Sequence, residues 1–173
     1  MADAGVQVVL AHAEPWLKPA ARAFAEYAAS IADVAGCSLQ HQGFERELRD
    51  LPGLYAPPRG RMLLAVDDAG QAPGSDAAVL GCIALRPLPA LGPGVCEMKR
   101  MYVRPAARGR GIGRLLGERL LAEARAAGYA VMKLDTSDTM HAAIGLYRSL
   151  GFEPCARYND DPMADTLWFE RRL

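Results

Sequence analysis

The sequence predicts an α/β chain of the α+β kind, built on a mixed central sheet, and three observations carry that prediction. Strand, helix and strand patterns follow one another between residues 96 and 135, a βαβ unit that requires two parallel strands and a right-handed crossover. Upstream, strand-like runs are joined by short polar, Gly-containing connections suited to antiparallel hairpins. The 173 residues are 51% hydrophobic and 23% charged, which suits one core over residues 1–173 and excludes a disordered chain.

The elements follow in order. Residues 15–35 begin with proline, are rich in alanine and space Trp16, Phe24, Tyr27 and Ile31 as an amphipathic helix does. A second, short helix covers 44–50. After the breakers Pro52, Gly53, Pro57, Pro58 and Gly60, the Met-Leu-Leu-Ala-Val run within 61–67 reads as a strand, and 78–85 as the next. Residues 96–103 form a third strand. Ile112, Leu116, Leu120 and Ala124 then repeat every four residues, a helical stripe that ends by Gly128. A strand at 131–135, a helix at 140–150 stopped by Gly151, and a closing hairpin of 152–158 and 165–171 complete the chain.

Bulk properties narrow the function. Lysine and arginine balance aspartate and glutamate, so no global field holds nucleic acid or an anionic membrane. The longest apolar run, 77–85, is far below the ~20 residues of a membrane span, and no secretion leader is seen. Cys37, Cys82, Cys96 and Cys155 lie far apart without a C-x-x-C pair or histidines at metal spacing. Reduced thiols in a cytoplasmic protein, with no metal, are the expectation. His12 and His41 have no supporting constellation.

One segment breaks the balance. Lys99, Arg100, Arg104, Arg108, Arg110, Arg114 and Arg119 face only Glu97 and Glu118, an excess that suits a multiply charged anion. Within it, Arg108-Gly-Arg-Gly-Ile-Gly-Arg114 joins a strand to a helix, where unpaired N–H groups and the dipole favour phosphate. A tight turn with a solvated basic face is the plainer alternative. No lysine followed by Ser or Thr completes a Walker loop, and Arg114 stands where the dinucleotide pattern needs its third glycine.

Arg108-x-x-Gly111-x-Gly113 resembles the R/Q-x-x-G-x-G/A signature of the GNAT N-acetyltransferase superfamily. The strand from Cys96 to Val103 and the segment Ala143-Ile-Gly-Leu-Tyr147-Arg-Ser-Leu-Gly151-Phe152 extend the resemblance in the right order. Leu51-Pro-Gly53-Leu-Tyr55 and Tyr158-Asn-Asp-Asp-Pro162 look like a bacterial subgroup. The resemblance implies a mixed sheet of about six to seven strands with about four helices and a splayed parallel pair in its middle. It further implies acetyl-coenzyme A as co-substrate, passed directly in a ternary complex to a small-molecule or peptide amine, and is compatible with a homodimer. A non-catalytic acyl-CoA sensor of the same fold is the alternative.

On that resemblance Met101, Tyr102 and Val103, with Arg108, Gly109, Arg110, Gly111, Ile112, Gly113 and Arg114, hold the cofactor. Met140 stands where relatives often carry a cofactor-holding asparagine; His141 beside it is either a substitute ligand or an exposed helix end. Tyr147, which also contacts the cofactor, is expected to be the acid that protonates the departing thiolate; its alternative is a core tyrosine. Glu97 is either the base for the amine or an ion-pair partner of neighbouring cations. Backbone N–H groups near Lys99 to Met101 would serve the developing oxyanion. Phe44, Glu45, Tyr55, Tyr158 and Asn159 are the candidates for the acceptor pocket, where Glu45, Asp160 and Asp161 suit a cation and Lys99 and Arg100 a carboxylate.

Overall fold

A computed structural model describes residues 5–35, 43–67 and 70–173; Cys37 and His41 lie outside them. The elements run β1 (Val6–Leu10), α1 (Leu17–Ala35), α2 (Phe44–Arg49), β2 (Arg61–Asp67), β3 (Val79–Pro87) and β4 (Val95–Val103), followed by α3 (Ile112–Ala126), β5 (Val131–Ser137), α4 (His141–Ser149), β6 (Glu153–Pro154) and β7 (Thr166–Arg172). One seven-stranded sheet orders them β1-β2-β3-β4-β5-β7-β6. Only β4 and β5 pair in parallel.

Both faces of the sheet are covered, which is why its central strands read as continuous apolar runs and not as alternation. Leu63, Ala65, Ile83 and Leu85 point into the cluster built with α3 and α4. Their neighbours Met62, Leu64, Cys82 and Ala84 point into the cluster with α1 and α2, around Phe24 and Tyr55. The predicted stripe of α3 is buried as expected, and Leu121 joins it.

Both later helices end on the same device. The Tyr129 N–H bonds Ala124 O and the Gly128 N–H bonds Arg125 O; likewise Phe152 bonds Tyr147 and Gly151 bonds Arg148. Gly128 and Gly151 both take φ +82°, the left-handed cap that favours glycine. At α4 the apolar contact that accompanies this cap is Phe152 on Tyr147, with ring centroids 6.2 Å apart.

Two expectations need correction. Val6–Leu10 forms an edge strand on β2 that the sequence reading left unassigned. The closing hairpin is mostly loop: β6 holds only Glu153 and Pro154, and β7 lies between β5 and β6. Where its first arm leaves the sheet, Arg157 folds residues 157–161 into a loop by reaching the carbonyls of Asn159 and Asp161, and Tyr158 and Asn159 bond across to Glu97 and Asp135.

Candidate active site

The parallel ladder is short. It pairs Val95–Val131, Cys96–Met132 and Glu97–Lys133 and then stops, so β4 and β5 diverge from Met98 and Leu134 onward. At the divergence β4 carries one extra residue against β3, between Lys99 and Tyr102, and Arg100 takes φ +58°. Such a bulge bends a strand and re-aims its side chains. Two hollows open there, one on each side of Met101.

The larger, of about 650 Å³, is walled by Met101, Tyr102 and Val103 on one side and by Met140 to Ala143 on the other. Arg108, Gly109, Gly111, Ile112, Gly113 and Arg114 form its end. Gly109 and Gly111 have φ +78° and +79°, and a Cβ at either would meet nothing within 4 Å, so their open side faces the cleft. No side chain caps the start of α3, which leaves its first N–H groups to a ligand. Gly113 is different: a Cβ there would come 3.0 Å from Leu146 and Met101, so it lets α3 pack closely.

The basic excess of this segment is largely spent elsewhere, which corrects its reading as one anion site. Arg104 grips both carboxylate oxygens of Glu26 at 2.7 and 3.0 Å and also reaches Asp76. Arg100 holds Glu47 through two 2.8 Å bonds, and Arg119 bonds Glu123. Arg110 lies 3.5 Å from Asp67 and does not line the cleft. Arg108 donates Nε–H to the Val103 carbonyl at the cleft end. Arg114 bonds Ser149 and Glu118 at its rim.

The smaller hollow, of about 90 Å³, is lined by Tyr147, Lys99, Arg100, Asp135, Asp161 and Asp165 among apolar neighbours, and it shares Tyr27, Met101, Met140 and Ala143 with the cleft. Tyr147 is 7% exposed. Burial pushes its hydroxyl above the ordinary tyrosine value, so it keeps its proton at neutral pH. Tyr27 beside it is likewise pushed up to about 12 by burial.

Glu97 is buried and fully engaged. Its Oε2 accepts from Arg86 at 2.9 Å, its Oε1 accepts from the Tyr158 hydroxyl at 2.9 Å, and Lys99 Nζ lies 3.9 Å away. Glu97 does not line either hollow. Asp135, Asp161 and Asp165 do, and Asp135 is held firmly: Asn159 donates to its Oδ2 at 2.7 Å, Lys99 Nζ stands 3.5 Å from Oδ1, and Trp168 Nε1 fixes Asn159 at 2.8 Å. Arg86, Glu97, Lys99 and Asp135 thus form a run of alternating charge with Glu97 and Lys99 buried at its middle, the arrangement under which buried ions are tolerable.

The expected acceptor residues are placed otherwise. Phe44 and Tyr55 are buried with α1 and α2, Phe44 under the Arg100 guanidinium and Tyr55 edge-on to Phe24. The Tyr55 hydroxyl stands by Glu47 without a hydrogen bond of ordinary geometry. Glu45 is exposed. Tyr158 and Asn159 act one layer back, holding Glu97 and Asp135. His141 is exposed at the first turn of α4 and borders the cleft. Asp135, Ser137 and Asp165 were missed, although a carboxylate at the C-terminal end of a parallel strand is where ligands of α/β sheets gather.

The model of the acetyltransferase (GNAT) family matches residues 28–152, most of the chain. This protein belongs to the GNAT acetyltransferase family. An uncharacterised N-acetyltransferase of Schizosaccharomyces pombe is 40% identical over 138 residues, 80% of this chain and 79% of that protein. Two further relatives are matched over 35% and 53% of their length. Among solved structures, an acetyltransferase from Streptococcus agalactiae aligns with TM-score 0.74 at 20% identity, over 98% of this chain and 99% of the other. The yncA protein of Salmonella typhimurium, solved with its cofactor acetyl-CoA, aligns with TM-score 0.65 at 21% identity over 97% and 94%. The described residues thus share the fold of GNAT acetyltransferases. Among the described residues no helix is long and apolar enough to cross a membrane.

Proposed function

We propose that this acetyltransferase moves the acetyl group of acetyl-CoA directly to a primary amine of a small molecule or peptide while both are bound. The observation that carries this reading is the pair of hollows meeting at Tyr27, Met101, Met140 and Ala143. Two chambers with a common wall can hold two substrates in contact, which converts an encounter in solution into a step within one complex.

The residues fit acetyl-CoA. Gly109, Gly111 and the uncapped start of α3 offer backbone N–H groups to a pyrophosphate, with Arg108 and Arg114 alongside. The β4 edge from Met98 onward has left its parallel ladder, so its backbone groups are open to an amide-bearing arm. Acetyl-CoA, when bound, supplies the reaction: the amine nitrogen bonds the acyl carbon, the carbon–sulfur bond breaks, one proton leaves the amine and one reaches the sulfur.

Tyr147 is the proton donor in this reading, because it lines the smaller hollow, one helical turn from Ala143 of the common wall, and burial keeps its hydroxyl protonated. Asp135, oriented by Asn159 and Lys99, receives the amine and takes its proton in this reading. Glu97 holds Arg86, Tyr158 and Lys99 in place behind it. The free thiols of Cys82, Cys96 and Cys155 suit a cytoplasmic setting.

Acetyl-CoA is expected to raise the melting temperature while ATP and NAD leave it unchanged, since only a ligand of the native state stabilises by mass action. An amine screen that follows thiol release is then expected to show turnover. An equal shift with ATP would reject the ligand. Binding without turnover for any amine would support the sensor alternative instead.

A further inference from the structure

We infer that the acceptor is a small aliphatic amine carrying a second positive charge and no carboxylate; the inference rests on the transferase reading above. The acceptor hollow, about 90 Å³, has the room of roughly three water molecules, so what enters it is slender. By count its ionised lining sets two cations, Lys99 and Arg100, against three carboxylates, Asp135, Asp161 and Asp165. The contacts widen that excess.

Lys99 stands between two carboxylates, 3.5 Å from Asp135 and 3.9 Å from Glu97. Arg100 is gripped by both oxygens of Glu47. Neither cation is in want of an incoming carboxylate. Asp165 contrasts with them: Ser137 Oγ donates to its Oδ2, and no lysine or arginine among the described residues lies within ion-pair distance of it. A hydroxyl donor steadies a carboxylate without cancelling its charge. The wall at Asp165 therefore attracts a cation and repels an anion.

Geometry sets the spacing. Asp135 and Ser137 are two residues apart on β5, which places their Cα atoms about 6.5 Å apart along the strand. Asp165 sits on Ser137, whereas Asp135 lines the same hollow as Tyr147 and Tyr27. An amine held at Asp135 beside Tyr147 would thus reach Asp165 with a second ammonium across the span of a short diamine. Met98, Leu134, Met140 and Met163 supply apolar wall for the methylenes between.

The test compares diaminobutane, butylamine and aminobutyrate as acceptors for the full chain with acetyl-CoA, read by thiol release. Diaminobutane is expected to exceed butylamine about tenfold or more in kcat/KM, with aminobutyrate at least about tenfold below butylamine. Asp165→Asn should remove most of the diamine's advantage through KM, costing the diamine at least about fivefold more than butylamine. Aminobutyrate matching the amines, or a diamine preference that is absent or survives Asp165→Asn, overturns the inference. Should none turn over, calorimetric titration of the three into the protein with coenzyme A must give the same order, and a flat, reversed or absent order overturns it equally. Failure to bind acetyl-CoA at all would instead defeat the transferase reading.

Discussion

Gly81→Ala tests how rigidly β3 supports the cofactor strand. A Cβ at Gly81 would lie 2.4 Å from the Tyr102 carbonyl oxygen, 3.2 Å from Val103 Cα and 3.4 Å from Leu116 Cδ1. Carbon–oxygen contacts between strands settle near ~3.3 Å, so the methyl must drive the backbones apart by roughly 0.9 Å. Overpacking costs ~1–3 kcal/mol, and an obstacle made of backbone puts this change near the top, about 3 kcal/mol. For a domain of this size that lowers the melting temperature by about 6–12 °C. Tyr102 and Val103 also wall the larger cleft, and misplacing them by nearly 1 Å should weaken acetyl-CoA by about tenfold or more. Urea and thermal unfolding give the first number and calorimetry the second. A melting temperature within about 2 °C of wild type would show that the strands part freely and refute the reasoning.

Tyr147→Phe keeps the ring that packs on Phe152 and removes the proton, so kcat should drop by ~10²–10⁴ with little change in the KM for acetyl-CoA; half the wild-type kcat would return Tyr147 to a packing role. Gly111→Val forces a β-branched residue to φ +79° at the mouth of α3. Calorimetry should find no acetyl-CoA binding while circular dichroism shows a folded chain, and wild-type affinity would place the phosphates elsewhere. Glu123 tests acid stability. Burial pushes its carboxyl up, but hydrogen bonds from Arg61 and Arg119 outweigh burial and hold it below the ordinary glutamate value. Its folded value being the lower, the pair stabilises at neutral pH, and that stability is lost as pH falls below about 4.3. Glu123→Gln should therefore lower the melting temperature at pH 7 and narrow its gap to wild type in acid; a gap unchanged by acid would argue against the pair.

Strands β2 to β5 and the α3 stripe were legible because period and run length are local properties, and the glycine loop because a strand-to-helix turn needs its residues adjacent. Val6–Leu10 was not, since an edge strand of five partly exposed residues carries little pattern of its own. The acceptor hollow was least legible, because its lysine and arginine are paired through tertiary contacts. Arg100 finds Glu47 from 53 residues away and Arg104 finds Glu26 from 78. No spacing rule joins Asp135 to Asn159 or Glu97 to Tyr158. The loop that was read as a strand brings those partners in, which is why the acceptor candidates Tyr158 and Asn159 stand behind the carboxylates and not before the substrate.

Arg100 shows how α2, which lines neither hollow, reaches the chemistry alongside α1, whose Tyr27 lines both. A non-glycine residue at φ +58° costs about 1–3 kcal/mol and persists only where its surroundings over-determine it. Here they do: Glu47 of α2 holds the guanidinium by two 2.8 Å bonds, the rings of Phe44 and Tyr27 lie 5.1 and 5.8 Å from it, and Cys82 Sγ donates to its carbonyl. Charge-assisted bidentate bonds in a buried site are strong enough to offset strain of that size. The strained residue lies just past the point at which β4 parts from β5, so α1 and α2 fix, through one side chain, where the freed β4 edge runs. A change in α2 can thus move Met101, part of the wall common to both hollows, without touching either substrate.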